Sequence, residues 1–115
     1  MVLIMIMIEK KQHYNKLLQF YINLLTDKQA DIMTLYYKED YSLSEIAVLK
    51  NTTRNAIYDM IYRSQKMLDY YEVKLKLVSN YDKRVIIYGK LLEVNDLKVI
   101  ELVKECIDIE EGEML

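Results

Sequence analysis

The stretch Leu43-Ser-Glu-Ile-Ala-Val-Leu-Lys-Asn-Thr-Thr-Arg-Asn-Ala-Ile-Tyr-Asp-Met-Ile-Tyr62 has the spacing of a helix-turn-helix. Two helices that cross steeply need a small residue where they touch. They also need a residue that tolerates positive φ in the turn four positions later, and an apolar residue inside the second helix. Ala47, Asn51 and Ile57 meet these needs, with Met60 one turn further on. Ser42 followed three residues later by Glu45 is a capping-box pattern that starts a helix over about Leu43–Lys50, with Ile46, Ala47 and Leu49 facing inward. Asn51 stops it, because Asn tolerates the left-handed conformation better than other non-glycine residues. Thr52 or Thr53 caps the next helix.

Upstream, Tyr14, Leu17, Leu18, Tyr21, Ile22 and Leu25 recur at spacings of three and four, which predicts an amphipathic helix from Glu9. Thr26 and Gln29 form a second capping box, opening a helix over about Asp27–Lys38 that buries Ile32, Met33, Leu35 and Tyr36. Met1–Ile8 is entirely apolar but far shorter than the roughly 20 residues of a spanning helix, and no basic flank precedes it. Residues 1–8 are therefore expected to be disordered or a mis-assigned start, with translation beginning at Met7.

Downstream, the helical period runs from Ile57 through Met60, Ile61, Met67, Leu68, Tyr71 and Leu75 to Val78, about seven turns. Asn80-Tyr-Asp82 is the expected break. Val85–Tyr88 reads as strand or buried helix, and the helical context favours helix. Asn95 is the expected cap of a last helix over about Asp96–Ile109, with Leu97, Ile100, Val103 and Ile107 as its seam. The expected organisation is residues 9–92 as a helix-turn-helix domain with a long helix, then 93–115 as an acidic helix and tail. The fold class is all-α, a helical bundle.

The 115 residues suit one domain, and an apolar share of 52% with no Pro and two Gly favours long helices. The net charge of −2 is uneven: residues 93–115 hold two Lys against eight acidic groups, whereas residues 1–92 hold 14 basic against 10 acidic. A body of about +4 is modest for a protein that coats nucleic acid without specificity. The single cysteine, Cys106, excludes an internal disulfide and fits a reducing cytoplasm. With one histidine, His13, a histidine metal site or triad has no basis, and no phosphate loop or nucleophile–base pair is present. The expectation is a cytoplasmic non-enzyme with no cofactor, no metal and no membrane partner.

In a helix-turn-helix the second helix presents its N-terminal end, whose free amides and dipole favour phosphate. The candidate nucleic-acid or partner-binding residues are Thr53, Arg54, Asn55, Tyr58, Tyr62, Arg63 and Lys66. Arg54, Arg63 and Lys66 against Asp59 leave a surplus of two positive charges there, so a protein-facing use of the surface competes with a nucleic-acid one. The tyrosines read as core-edge residues with wet hydroxyls, the Tyr36-Tyr37 and Tyr70-Tyr71 pairs at most marking an interface. Cys106 reads as a small residue in a helical seam.

Leu25-Thr-Asp-Lys-Gln29, Leu35-Tyr-Tyr37, Asp40-Tyr-Ser-Leu43, Glu45-Ile-Ala47, Ala56-Ile-Tyr-Asp59 and Met67-Leu-Asp-Tyr-Tyr-Glu-Val-Lys-Leu75 closely resemble the YlxM-like family of small bacterial helix-turn-helix proteins. The resemblance covers about Leu17–Leu92, and the same core is more remotely similar to region 4 of sigma factors. It implies a sigma-region-4-like helix-turn-helix followed by a long helix and C-terminal helices, in a homodimer. It also implies genes beside those of the signal recognition particle GTPase and its receptor, and a regulatory part in that pathway. The chain departs from the family pattern at Asn51, Thr52 and Thr53, where a Gly, an apolar residue and a Ser are usual, and at Lys50, which replaces an apolar core residue.

Three functions follow as expectations. The first is a regulator of the protein-targeting pathway that contacts the particle's GTPase or its RNA. The second is a dimeric transcriptional regulator that places Arg54, Asn55 and Tyr58 in the major groove of DNA. The third is an oligomer held by Leu75, Val78, Leu97, Ile100 and Val103 with no nucleic acid involved.

Overall fold

A computed structural model describes residues 1–114, and among them the chain forms six α-helices and no strand. These are α1 (Val2–Tyr21), α2 (Asp27–Tyr37), α3 (Leu43–Leu49), α4 (Arg54–Leu75), α5 (Leu77–Leu92) and α6 (Leu97–Met114), with one 3-10 turn at Ile22–Leu24. The chain divides into two compact units, Met1–Leu75 and Lys76–Leu115.

Local chemistry explains where the helices of the first unit begin. The Thr26 hydroxyl accepts from the Gln29 amide at 3.2 Å, and the Gln29 side-chain carbonyl accepts from the Thr26 amide at 3.1 Å. Ser42 and Glu45 repeat the arrangement at the head of α3, at 3.1 Å in both directions. Each box satisfies two amides that would otherwise lack partners at a helix start.

The core of this unit is α1, α2 and α3 packed on α4. Leu17, Leu18 and Tyr21 from α1, Ile32 and Met33 from α2, Ile46 from α3, and Ile57 and Leu68 from α4 are all at most 1% exposed. Tyr37 is the buried aromatic residue of α2, whereas Tyr36 and Leu35, expected inside, are half-buried. The core tyrosines are not wet at their tips. Tyr14 donates to the Asp69 carboxylate at 2.9 Å and Tyr21 to Glu72 at 2.6 Å, so α4 supplies carboxylate acceptors to two phenols of α1. The Gln65 amide donates to the Tyr37 hydroxyl. These bonds satisfy groups that burial would otherwise penalise.

Burial pushes the Tyr37 phenol up to about 12, and burial together with the Asp69 carboxylate raises Tyr14 further. A phenol whose folded value lies above its unfolded value of 10 favours the fold while protonated. Its contribution is complete below pH 10 and is lost as pH rises from there through about 12, because the unfolded chain releases the proton first. The urea midpoint should therefore fall steeply between pH 10 and 12. Tyr37→Phe should flatten that fall, and equal slopes for the two proteins would refute the assignment.

Three boundaries differ from the sequence expectations. Of the two expectations for residues 1–8, disorder is the one the structure departs from: α1 begins at Val2, because no Gly or Pro separates that segment from Glu9 and a helix propagates cheaply once formed. All eight side chains from Met1 to Ile8 are nevertheless at least 51% exposed. The long helix ends at Leu75 instead of running to Val78, because Lys76 adopts the left-handed conformation at φ 56° and breaks it there, not at Asn80–Asp82. The division accordingly falls after Leu75 and not after Leu92.

The second unit is the α5–α6 hairpin. Lys83–Leu92 is helical, Gly89 included. The cap of α6 is Asp96, whose carboxylate accepts from Lys98 at 2.9 Å and Val99 at 3.2 Å, while Asn95 takes the positive-φ turn position before it at 60°. Val103, expected as part of an exposed oligomer seam, is buried at 3%, and Cys106, expected in a seam, is exposed. Arg84 holds Glu110 through two bonds at 2.8 and 3.0 Å.

Candidate binding interface

The helix-turn-helix is closed by its own backbone. Thr52 N–H donates to Ala47 at 2.9 Å and Asn51 N–H to Val48 at 3.2 Å, the paired bonds of a Schellman motif with Asn51 at φ 53°. Asparagine thus fills the position where a family member usually has glycine. The Thr53 hydroxyl accepts from Ala56 N–H at 3.1 Å and caps α4. Ala47 is 6% exposed at the crossing, with Ile57 and Ile61 at 1% and 4% on the inner side of α4. Leu49, expected to face inward, is 57% exposed, since the tight turn rotates the end of α3 away from the core. Lys50 reaches out to an ion pair with Asp31, which explains how a charge is tolerated at a usually apolar position.

The seven expected residues run from the cap of α4 through its first three to four turns, and only Thr53, Arg54 and Asn55 stand at the helix start itself. Thr53, Arg54, Asn55, Tyr58, Tyr62, Arg63 and Lys66 are all exposed, Tyr58 at 57% and Tyr62 at 47%. Their charges are partly engaged. Arg63 is paired with Asp59 at 3.1 Å one turn back, and the Lys66 ammonium sits 5.2 Å from the centroid of the Tyr62 ring. Arg54 is left as the cation of the first turn, where the amide dipoles add to its attraction for a phosphate. Such a face can hold an anion and read a polar edge. Among the described residues no group of three or more His, Cys, Asp or Glu could hold a metal, and no helix is long and apolar enough to cross a membrane.

Beside this face lies a groove of about 570 Å³, bounded by α1, the end of α2 and the outer side of α4. Tyr58 and Tyr62 belong to both the face and the groove, and Tyr36, Tyr41, Lys10 and Lys11 complete its wall and rim. Sequence reasoning named Tyr36 only within a pair that at most marks an interface, and missed Tyr41, Lys10 and Lys11. The signals were the Lys10-Lys11 and Tyr36-Tyr37 doublets, but periodicity within one helix does not reveal which helices share a groove.

Residues 8–106 match a family described as "Putative helix-turn-helix protein, YlxM / p13 like". The chain is 44% identical over 108 residues to a UPF0122 protein of Lactococcus lactis subsp. cremoris (strain MG1363), an alignment spanning 92% of this chain and 97% of the relative. It is 48% identical over 86 residues to UPF0122 proteins of Streptococcus agalactiae serotype III (strain NEM316) and Streptococcus pneumoniae (strain Hungary19A-6), spanning 75% of this chain and 78% of each relative.

Proposed function

From the premise that the chain belongs to the YlxM/p13-like helix-turn-helix family, we propose that it is a non-enzymatic regulator of the signal recognition particle pathway. In this reading the start of α4 contacts the particle's GTPase or its RNA. The observation that carries it is the geometry of that helix start: a closed helix-turn-helix that buries Ile57 and leaves Arg54, Asn55, Tyr58 and Tyr62 in solvent. The modest charge supports a contact with few phosphates over one that wraps duplex, since Arg63 and Lys66 are already engaged. Two copies act together in this reading. The α5–α6 hairpin buries Val103 but leaves Leu97 at 81% and Ile86 at 60% exposed, more apolar surface than a hairpin keeps in water without a partner.

A transcriptional regulator is the second reading, favoured by Arg54 and Asn55 together at a capped helix start. Arginine pairs with two acceptors of guanine and asparagine with adenine in the major groove. A tagged pull-down from the native cell, washed at moderate salt, separates the two. The targeting GTPase or its small RNA should be recovered. One recurrent DNA segment with neither component would replace the first reading by the second.

A further inference from the structure

We infer that the groove beside α4 is a binding site for an unpaired nucleotide, whose base stacks among Tyr36, Tyr41, Tyr58 and Tyr62 while its phosphate meets Lys10 and Lys11 at the rim. The inference rests on the reading of the α4 face as a nucleic-acid surface and names what that surface takes.

Four observations converge on it. The groove's volume of about 570 Å³ lies within the range of small-ligand sites, large enough for a base and its ribose. Its aromatic wall is accessible: Tyr41 is 37%, Tyr62 47% and Tyr58 57% exposed, so a planar partner can reach it. Every base has a π-face, and stacking on aromatic rings is how proteins hold unpaired strands. Cations already gather on those rings. Lys11 lies 5.9 Å from the Tyr36 centroid while paired with Asp40, and Lys66 lies over Tyr62, so a base that takes the ring face from each ammonium leaves that charge for its own phosphate. Finally, the groove is continuous with the expected contact face through Tyr58 and Tyr62, so a strand held at Arg54 passes its mouth.

The floor also fits. Tyr37 and Ile61 close it, with the Tyr37 hydroxyl held by Gln65, leaving a surface that is apolar and fixed. A base within a duplex shows only its edge and is inaccessible to such a site, so the occupant must be a single strand, a loop or a flipped nucleotide.

The test measures fluorescence anisotropy of a labelled ten-nucleotide single strand of mixed sequence, as RNA and as DNA, and of the corresponding duplexes, with the full chain. Tyr36→Leu and Tyr41→Leu alter the groove without touching the expected α4 residues, Lys10→Glu reverses charge at its rim, and Arg54→Ala alters only the face. Circular dichroism checks that each variant is helical, and Lys10→Glu, at an exposed position, serves if a tyrosine variant fails to fold. Each groove variant should weaken single-strand binding by about five- to a hundredfold, the range for losing one stacked base or its equivalent, and leave duplex binding unchanged. Equal affinity for RNA and DNA strands identifies base stacking as the source, and tighter RNA binding adds a ribose hydroxyl contact; both support the site. Groove variants that bind the single strand like the parent, or a parent that prefers duplex, would overturn it. If Arg54→Ala alone abolishes binding, the reading of α4 survives and the groove site does not.

Discussion

Ile57→Ala should destabilise the first unit by about 2–5 kcal/mol, the usual cost of truncating a buried isoleucine. Ile57 is 1% exposed, one turn into α4, and Ile46 and Ala47 of α3, the helix packed on α4, are buried at 0% and 6%. The methyl groups removed have no water to replace them, and the Schellman turn at Asn51 fixes the helix ends so that the site cannot close over the gap. A domain of this size has about 5–15 kcal/mol to lose, so the substitution takes a large share of the total. Urea denaturation followed by circular dichroism measures it directly. A loss under about 1 kcal/mol would mean that α4 is not anchored through this residue, and the helix-turn-helix geometry would need revision. The same variant should bind its partner weakly even where folded, because Arg54 and Asn55 are positioned only by the clamp beneath them.

That clamp was legible in the sequence because its determinants are local. Ser42 and Glu45 lie three residues apart and make the capping-box bonds their spacing predicts, while Asn51, four residues after Ala47, takes the positive φ expected of it. The Thr26 and Gln29 box was legible for the same reason, and of the two caps the sequence allowed for α4, Thr52 or Thr53, the structure uses Thr53. The end of α4 was not. Lys76 is a poor occupant of the left-handed region, at about 1–2 kcal/mol for a residue with a Cβ, and nothing in its neighbourhood advertises a stop. Asn80 looked the better breaker and instead lies inside α5, its amide bonded to the Lys76 carbonyl at 2.9 Å. The phenol–carboxylate bonds lay beyond sequence reasoning for a different reason. Tyr14 and Asp69 are 55 positions apart and Tyr21 and Glu72 are 51, and no periodicity within one helix pairs them. The exposure of Thr53 and of the six named α4 residues was legible because they lie within one short stretch of chain, whereas the groove is assembled from α1, α2, α4 and the segment Asp40–Leu43.

Arg54→Ala should be the most damaging single change on the binding face, and Arg63→Ala a mild one, although both remove the same charge. Arg54 stands in the first turn of α4, where the Thr53 hydroxyl takes the Ala56 amide and the helix dipole adds to the attraction for an incoming anion. A hydrogen bond to a charged group contributes about 1.5–3 kcal/mol, so its loss should weaken binding about ten- to a hundredfold. Arg63 stands nine residues further along the helix, beyond the first turn in which the dipole acts, and is tied to Asp59 at 3.1 Å. An exposed arginine without the helix start behind it contributes under about 1 kcal/mol, so the expected effect of Arg63→Ala is a few-fold at most. For a nucleic-acid ligand the salt dependence gives a second reading of the same surface. For a duplex, which the groove cannot admit, Arg54, Arg63 and Lys66 are the cations of the face, so the slope of log affinity against log salt should not exceed about −3 in magnitude, and Arg54→Ala should lower it by about one. A much steeper slope would require cations outside α4. Equal losses for the two arginine variants would show that charge alone, and not the helix start, makes the contact.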